Sequence, residues 1–232
     1  MNKLKYILIG EGGVGKTSLI NQYINNEFKQ NYTMTTSADR LIKEITINNK
    51  KITFEIWDTP GQKTYRSINK IFMKNTDIAL AGYDITNRKT FEILDTFINS
   101  LKEINQNRNL TIGVTANKSD LYEDACVNKE EGEEYANKIK ALFFESTATD
   151  HENVENIFNE LTKDYIDKYG LKEETTQSNN NSQTTNIVND EKVDIPENKQ
   201  EAVKSMVIEK IDEVETVESS CYDKFSKKCN IF

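Results

Sequence analysis

Cysteine is scarce and scattered: the 232 residues hold three, Cys126, Cys221 and Cys229. They show neither metal-ligand spacing nor the density of a disulfide framework. No stretch reaches the roughly 20 consecutive apolar residues that a spanning helix needs. The first residues run straight into a strand pattern, with no apolar leader ahead of a cleavage site. Positive charge is also in deficit. Thirty Lys and Arg against 38 Asp and Glu leave a net charge of −8, which excludes a broad nucleic-acid-binding surface. These absences lead to the expectation of a reducing, cytosolic setting. Proline and glycine are few, two and nine, but four of the glycines fall within residues 10–15.

That cluster, Gly10-Glu11-Gly12-Gly13-Val14-Gly15-Lys16-Thr17, fits the phosphate-binding pattern G-x-x-x-x-G-K-[ST]. The apolar run Tyr6-Ile7-Leu8-Ile9 ahead of it reads as a buried parallel strand, and Ser18 to Ile24 behind it as a helix. A glycine-rich turn that merely happens to hold Lys-Thr would not need that context. Glycines let successive N–H groups turn toward phosphate oxygens, and the helix N-terminus adds partial positive charge. Lys16 would reach the β- and γ-phosphates, and the Thr17 hydroxyl would bind Mg²⁺.

Further along, Leu41 to Ile47 and Ile52 to Trp57 alternate in polarity around Asn48-Asn49-Lys50, which predicts a hairpin with a three-residue connection. Strand patterns recur at Asp77–Asp84, Leu110–Ala116 and Leu142–Glu145. Helical spacing appears from Arg88 through Phe91, Leu94, Phe97/Ile98 and Leu101, from Glu130 to Lys140, and over Val154, Ile157, Phe158, Leu161 and Tyr165. Strands alternating with helices, plus one hairpin, imply an α/β domain with a six-stranded, mostly parallel sheet and helices on both faces. Every candidate binding segment follows the C-terminal end of a strand, where such folds place ligands.

Asp58-Thr59-Pro60-Gly61-Gln62 ends the returning hairpin strand. Its acidic residue is the second Mg²⁺ partner that phosphoryl transfer needs. Gly61 lets a backbone N–H approach a γ-phosphate, and Gln62 can hold an attacking water by donating and accepting hydrogen bonds. Asn117-Lys118-Ser119-Asp120 names the base. A carboxylate accepts from a ring N–H and an exocyclic amine, a pair that guanine presents and adenine does not. The Lys118 stem can lie along the base face.

On these motifs, with Tyr83-Asp84-Ile85-Thr86-Asn87 and Glu145-Ser146-Thr147-Ala148, residues 4 to about 168 resemble the Ras superfamily of small GTPases. The Tyr-Asp-Ile-Thr-Asn stretch and the run Gln62 to Ile68 resemble its Rab family in particular. The resemblance implies a slow GTPase with Mg²⁺ and GTP or GDP bound. Its nucleotide-binding residues would be Gly12, Gly13, Val14, Gly15, Lys16, Thr17, Ser18, Phe28, Thr35, Gly61, Asn117, Lys118, Asp120, Thr147 and Ala148. Phe28 would pack on guanine, and the Ala148 N–H would meet guanine O6. Thr35 would join Thr17 and Asp58 at Mg²⁺ only when the γ-phosphate is present. Gln62, Lys16 and Gly61 would carry hydrolysis. The implied partners are an exchange factor, a GTPase-activating protein and effectors, met through switch I (28–40) and switch II (58–74).

The chain departs from the family at several positions. Pro60 replaces the usual Ala; it either slows or biases the switch, or is tolerated because the native φ already suits it. Arg40 replaces a Phe, and its guanidinium is expected over Trp57 in a cation–π contact, changing the partner set. Ser37 and Thr149 replace a Gly and a Lys, and Thr36 leaves a one-residue ambiguity beside Thr35. Residues 171–228 read as a disordered spacer rich in Asn, Gln, Ser, Thr and Glu, with helix-like spacing over 201–218. The chain closes on Cys229-Asn230-Ile231-Phe232, a prenylation box preceded by Lys224, Lys227 and Lys228, with Cys221 open to acylation. A Rab-like switch is therefore expected on the cytoplasmic face of a membrane, exchanging with cytosol and regulating vesicle traffic. The rival reading is a GTP-locked interaction scaffold disabled by Pro60 and Arg40; a nucleotide kinase is disfavoured by the Asn-Lys-Ser-Asp loop.

Overall fold

The computed structural model describes residues 2–29, 34–35, 38–47, 50–61 and 71–171. Gln62 and the run to Ile68, Thr36, Ser37, the Asn48-Asn49 turn and everything from Lys172, Cys221 and Cys229 included, lie outside the described residues.

The strand of Tyr6 to Ile9 extends back to give β1, Asn2–Ile9. It alternates its side chains between two buried faces. Tyr6 and Leu8 point to one side and Ile7 and Ile9 to the other. This two-sided burial marks it as central. It pairs in parallel with β3, Lys50–Asp58, and with β4, Ile78–Asp84. Parallel β5, Thr111–Asn117, and β6, Leu142–Ser146, continue the sheet. Antiparallel β2, Asp39–Ile47, closes the other edge, giving the order β2-β3-β1-β4-β5-β6.

Helices cover both faces. On one, α1, Lys16–Asn25, and the last helix, α5, His151–Tyr169, bury Leu19, Ile20, Tyr23, Ile157, Phe158 and Leu161. Phe158 stacks on Tyr23 with centroids 3.9 Å apart. Removing such a ring from a core costs about 3–5 kcal/mol. On the other face lie α2, Arg88–Glu92, α3, Leu94–Ile104, and α4, Lys129–Ile139. Asn128 and Glu131 close a reciprocal capping box that starts α4.

Two expectations are corrected. The helix expected as one run from Arg88 is two, parted at Ile93, where Thr96 N–H donates to the Ile93 carbonyl in a tighter three-residue turn. The hairpin connection is two residues, not three, because Ile47 pairs with Lys50. Lys50 and Lys51 are exposed, so no burial pattern announced them as strand.

Candidate functional site

The ends of β1, β3, β5 and β6 converge on one cavity of about 460 Å³. At one end lies the loop after β1. Gly15, at φ +98, could carry no side chain: a Cβ would overlap the Asn117 amide nitrogen. Lys16 is buried, and its ammonium donates to the carbonyls of Gly10 (3.0 Å) and Glu11 (2.9 Å). Burial lowers its pKa to about 8, against the opposing charges of Asp58 and Glu11. This is a buried cation held by two neutral carbonyls, and an anion in the cavity would stabilise its charged form.

Behind it, the Thr17 hydroxyl donates to Asp58 Oδ2 at 2.6 Å and lies 2.7 Å from the Thr35 hydroxyl. Asp58 is buried, and its second oxygen, Oδ1, has no hydrogen-bond partner. Burial raises its pKa, against the Thr17 hydrogen bond and the Lys16 charge. An orphaned carboxylate oxygen beside two hydroxyls fits a hard, oxygen-seeking cation. Among the described residues no three His, Cys, Asp or Glu side chains gather to hold a metal. One carboxylate and two hydroxyls therefore suit Mg²⁺ completed by phosphate oxygens and water. Gly61 packs on the same loop so closely that a Cβ would overlap the backbone of Glu11 and Gly12. The Thr59 hydroxyl donates to the Leu8 carbonyl at 2.7 Å and ties the end of β3 to β1.

Against the same loop, the Asn117 side chain is buried and donates to the Val14 carbonyl at 2.7 Å. It accepts from the Ser146 hydroxyl at 2.9 Å, which in turn accepts from Thr115 at 2.7 Å. Lys118 adopts φ +63, and its ammonium donates to Asp84 Oδ2 at 2.6 Å. Asp120 lines the cavity with an exposed carboxylate, opposite Phe28, which is 44% exposed. Thr147, Ala148 and Thr149 complete this wall, with the two threonine hydroxyls 2.7 Å apart.

The cavity thus brings together Gly12, Gly13, Gly15, Lys16, Thr17 and Ser18 with Asn117, Lys118, Asp120, Thr147 and Ala148, and with Phe28, Thr35 and Gly61. Val14 stands apart: its side chain is buried and its carbonyl is taken by Asn117. The cation on Trp57 is not Arg40. Arg40 faces Trp57 in the β2–β3 ladder, but its guanidinium turns to Glu55 at 2.9 Å. Lys5 sits over the indole instead, 4.8 Å from its centroid.

Sequence reasoning missed Asn153, which accepts from Thr147 N–H (3.2 Å) and donates to the Glu145 carbonyl (3.1 Å), bracing the wall from α5. No local pattern signals a side chain that acts on another loop. It also missed Lys29 and Met34 at the rim. The model of the Ras family matches residues 5–167, more than half of the chain.

Proposed function

Because this chain belongs to the Ras family, whose members are small GTPases that switch between GTP- and GDP-bound forms, we propose that it is a Rab-like switch acting on membranes in vesicle traffic. The observation that supports the reading best is a cavity whose lining joins Gly12 to Thr17, with phosphate chemistry, to Asn117, Lys118 and Asp120, with guanine chemistry. In the proposed complex, Lys16 leaves the Gly10 and Glu11 carbonyls for the β- and γ-phosphates. Backbone N–H groups of residues 13 to 17 point at the same oxygens. Thr17, Thr35 and Asp58 would hold Mg²⁺, which would supply positive charge against that developing on the phosphate. The Asp120 carboxylate accepts from guanine, the Ala148 N–H donates to it, and Phe28 and the Lys118 stem cover its faces.

Gln62 is proposed to orient a water that attacks the γ-phosphorus. The new P–O bond forms as the bond to the β–γ bridging oxygen breaks, giving GDP and phosphate. Turnover is expected to be slow until a partner supplies an arginine or its equivalent. Exchange factor, activating protein and effectors are proposed to read residues 28–40 and 58–74.

The test identifies the nucleotide that co-purifies with the full chain, then measures single-turnover GTP hydrolysis beside Pro60→Ala. Similar slow rates in both proteins support the switch. Hydrolysis by Pro60→Ala alone favours the locked scaffold. Absence of any guanine nucleotide binding overturns the assignment. Membrane attachment through Cys229 is a separate part of the proposal, checked by the intact mass of protein made in a prenylating cell beside Cys229→Ser.

A further inference from the structure

Lys5 has two roles in the sheet, and only one is explained by the fold. Its backbone N–H donates to Asp77 Oδ2 at 2.8 Å, which holds β1 to the start of β4. Its side chain does something else. The ammonium donates to the carbonyls of Phe72 (2.6 Å) and Lys74 (2.7 Å) and lies over the Trp57 ring. The Phe72 and Trp57 rings are themselves 5.3 Å apart. Burial lowers the Lys5 pKa, with Glu55 and Asp77 opposing. A half-buried cation that gives two hydrogen bonds to carbonyls and faces an aromatic ring is held at three points by groups from two separate segments.

Those segments are the two ends of one stretch. Trp57 immediately precedes Asp58, Thr59, Pro60 and Gly61, of which Thr59 and Gly61 line the cavity and Asp58 accepts from Thr17. Phe72 and Lys74 follow its far end. We propose that Lys5 is a positioning residue that staples Phe72 and Lys74 to Trp57 and so holds the strand end leading into Asp58, Thr59 and Gly61 in place for hydrolysis, with a change of nucleotide in the cavity registered at the indole. This rests on the switch reading above. The chain offers an unusually clean reporter, because Trp57 is its sole tryptophan. The Lys5 ammonium lies 4.8 Å from its ring centroid, so removal of that charge should shift its emission.

The experiment uses the full chain, wild type, Lys5→Met and Lys5→Arg, each loaded with Mg²⁺ and either GDP or a non-hydrolysable GTP analogue. Tryptophan emission, single-turnover hydrolysis and fluorescent GDP affinity are measured together. The wild type is expected to show different emission in the two nucleotide states. Lys5→Met keeps the stem packing but loses the charge and both donors. It should lose most of that difference and hydrolyse roughly 10-fold more slowly, short of the ~100-fold that a 1 Å misplacement of reacting groups costs. Its GDP affinity should be unchanged, because Lys5 does not line the cavity. Lys5→Arg, which keeps charge and donors, should restore both readouts. A merely structural lysine would lower the melting temperature and leave the emission difference in place. The proposal is overturned if Lys5→Met retains the wild-type difference and rate, or if wild-type emission is identical in the two states while both nucleotides bind. Failure of the wild type to bind either nucleotide would instead remove the switch reading itself. Should Lys5→Met not fold, Lys5→Gln, which keeps a donor without charge, carries the same expectation.

Discussion

Val14 and Asn117 are 103 positions apart in the chain, yet the Asn117 amide donates to the Val14 carbonyl at 2.7 Å and the Ser146 hydroxyl donates to Asn117 at 2.9 Å. Phosphate loop, β5 loop and β6 loop are therefore one hydrogen-bonded unit.

Asn117→Ala leaves the Val14 carbonyl and Ser146 hydroxyl without this partner inside the protein. An unmade buried hydrogen bond costs about 1–3 kcal/mol. GDP release is expected to speed up by roughly 10- to 100-fold, since 1.4 kcal/mol is tenfold. Dissociation of a fluorescent GDP into excess unlabelled nucleotide measures it. A rate within a factor of about two of wild type would mean the three loops are not coupled through this side chain.

Lys16 makes the nucleotide-free protein sensitive to alkaline pH. Its folded pKa, about 8, lies below its unfolded value. Between the two values the unfolded chain binds more protons, so stability should rise as pH climbs through that window. Bound phosphates keep the ammonium charged, so the rise should vanish in the GDP-loaded protein. Denaturant midpoints across the window, with and without nucleotide, give the comparison. Lys16→Met should flatten the nucleotide-free curve.

Asp58→Asn should act in opposite directions on the two forms. The buried carboxylate has a raised pKa and an unpartnered oxygen, so it contributes stability while protonated and loses it as pH rises through its folded pKa. At neutral pH the amide should therefore raise the melting temperature of the nucleotide-free protein. In the loaded protein the same change should remove a carboxylate proposed to hold Mg²⁺ through water. Loss of a supporting group in a metal's outer shell typically costs 10- to 100-fold in affinity, so GDP retention should need correspondingly more Mg²⁺. Titration of GDP release against Mg²⁺ reads this directly.

Arg40 should matter little to stability and more to recognition. Its bond to Glu55 is exposed on the arginine side and shares the carboxylate with Lys3, 2.6 Å away. Exposed pairs contribute about 0–1 kcal/mol, so Arg40→Ala should barely move the melting temperature. Any effector isolated with the wild type should discriminate between Arg40 and Arg40→Phe. Equal binding to both would remove Arg40 from partner selection.

Much of this protein was legible from local pattern. Alternation in Leu41 to Trp57, the apolar run that opens β4 and helical spacing in α5 each need only neighbours in sequence, because burial repeats with the period of the backbone. The phosphate loop and the Asn117-Lys118-Ser119-Asp120 loop were legible for a related reason: a few residue types at fixed spacing carry their chemistry with them. What the chain alone could not settle is which distant groups meet. Arg40 reads as the cation for Trp57 because it stands where the resembling family has the Phe of an aromatic cluster with Trp57 and Phe72. Yet in the folded protein Glu55 draws Arg40 aside, and Lys5 from β1 takes the indole face. The partnership of Asn153 with residues 145 and 147, and the close packing of Gly61 on Glu11 and Gly12, likewise exist only once the strand ends have converged. Periodicity determined the elements and the motif residues. Tertiary structure decided their partners, because hydrogen bonds and ion pairs are won by proximity among groups that the linear chain keeps apart.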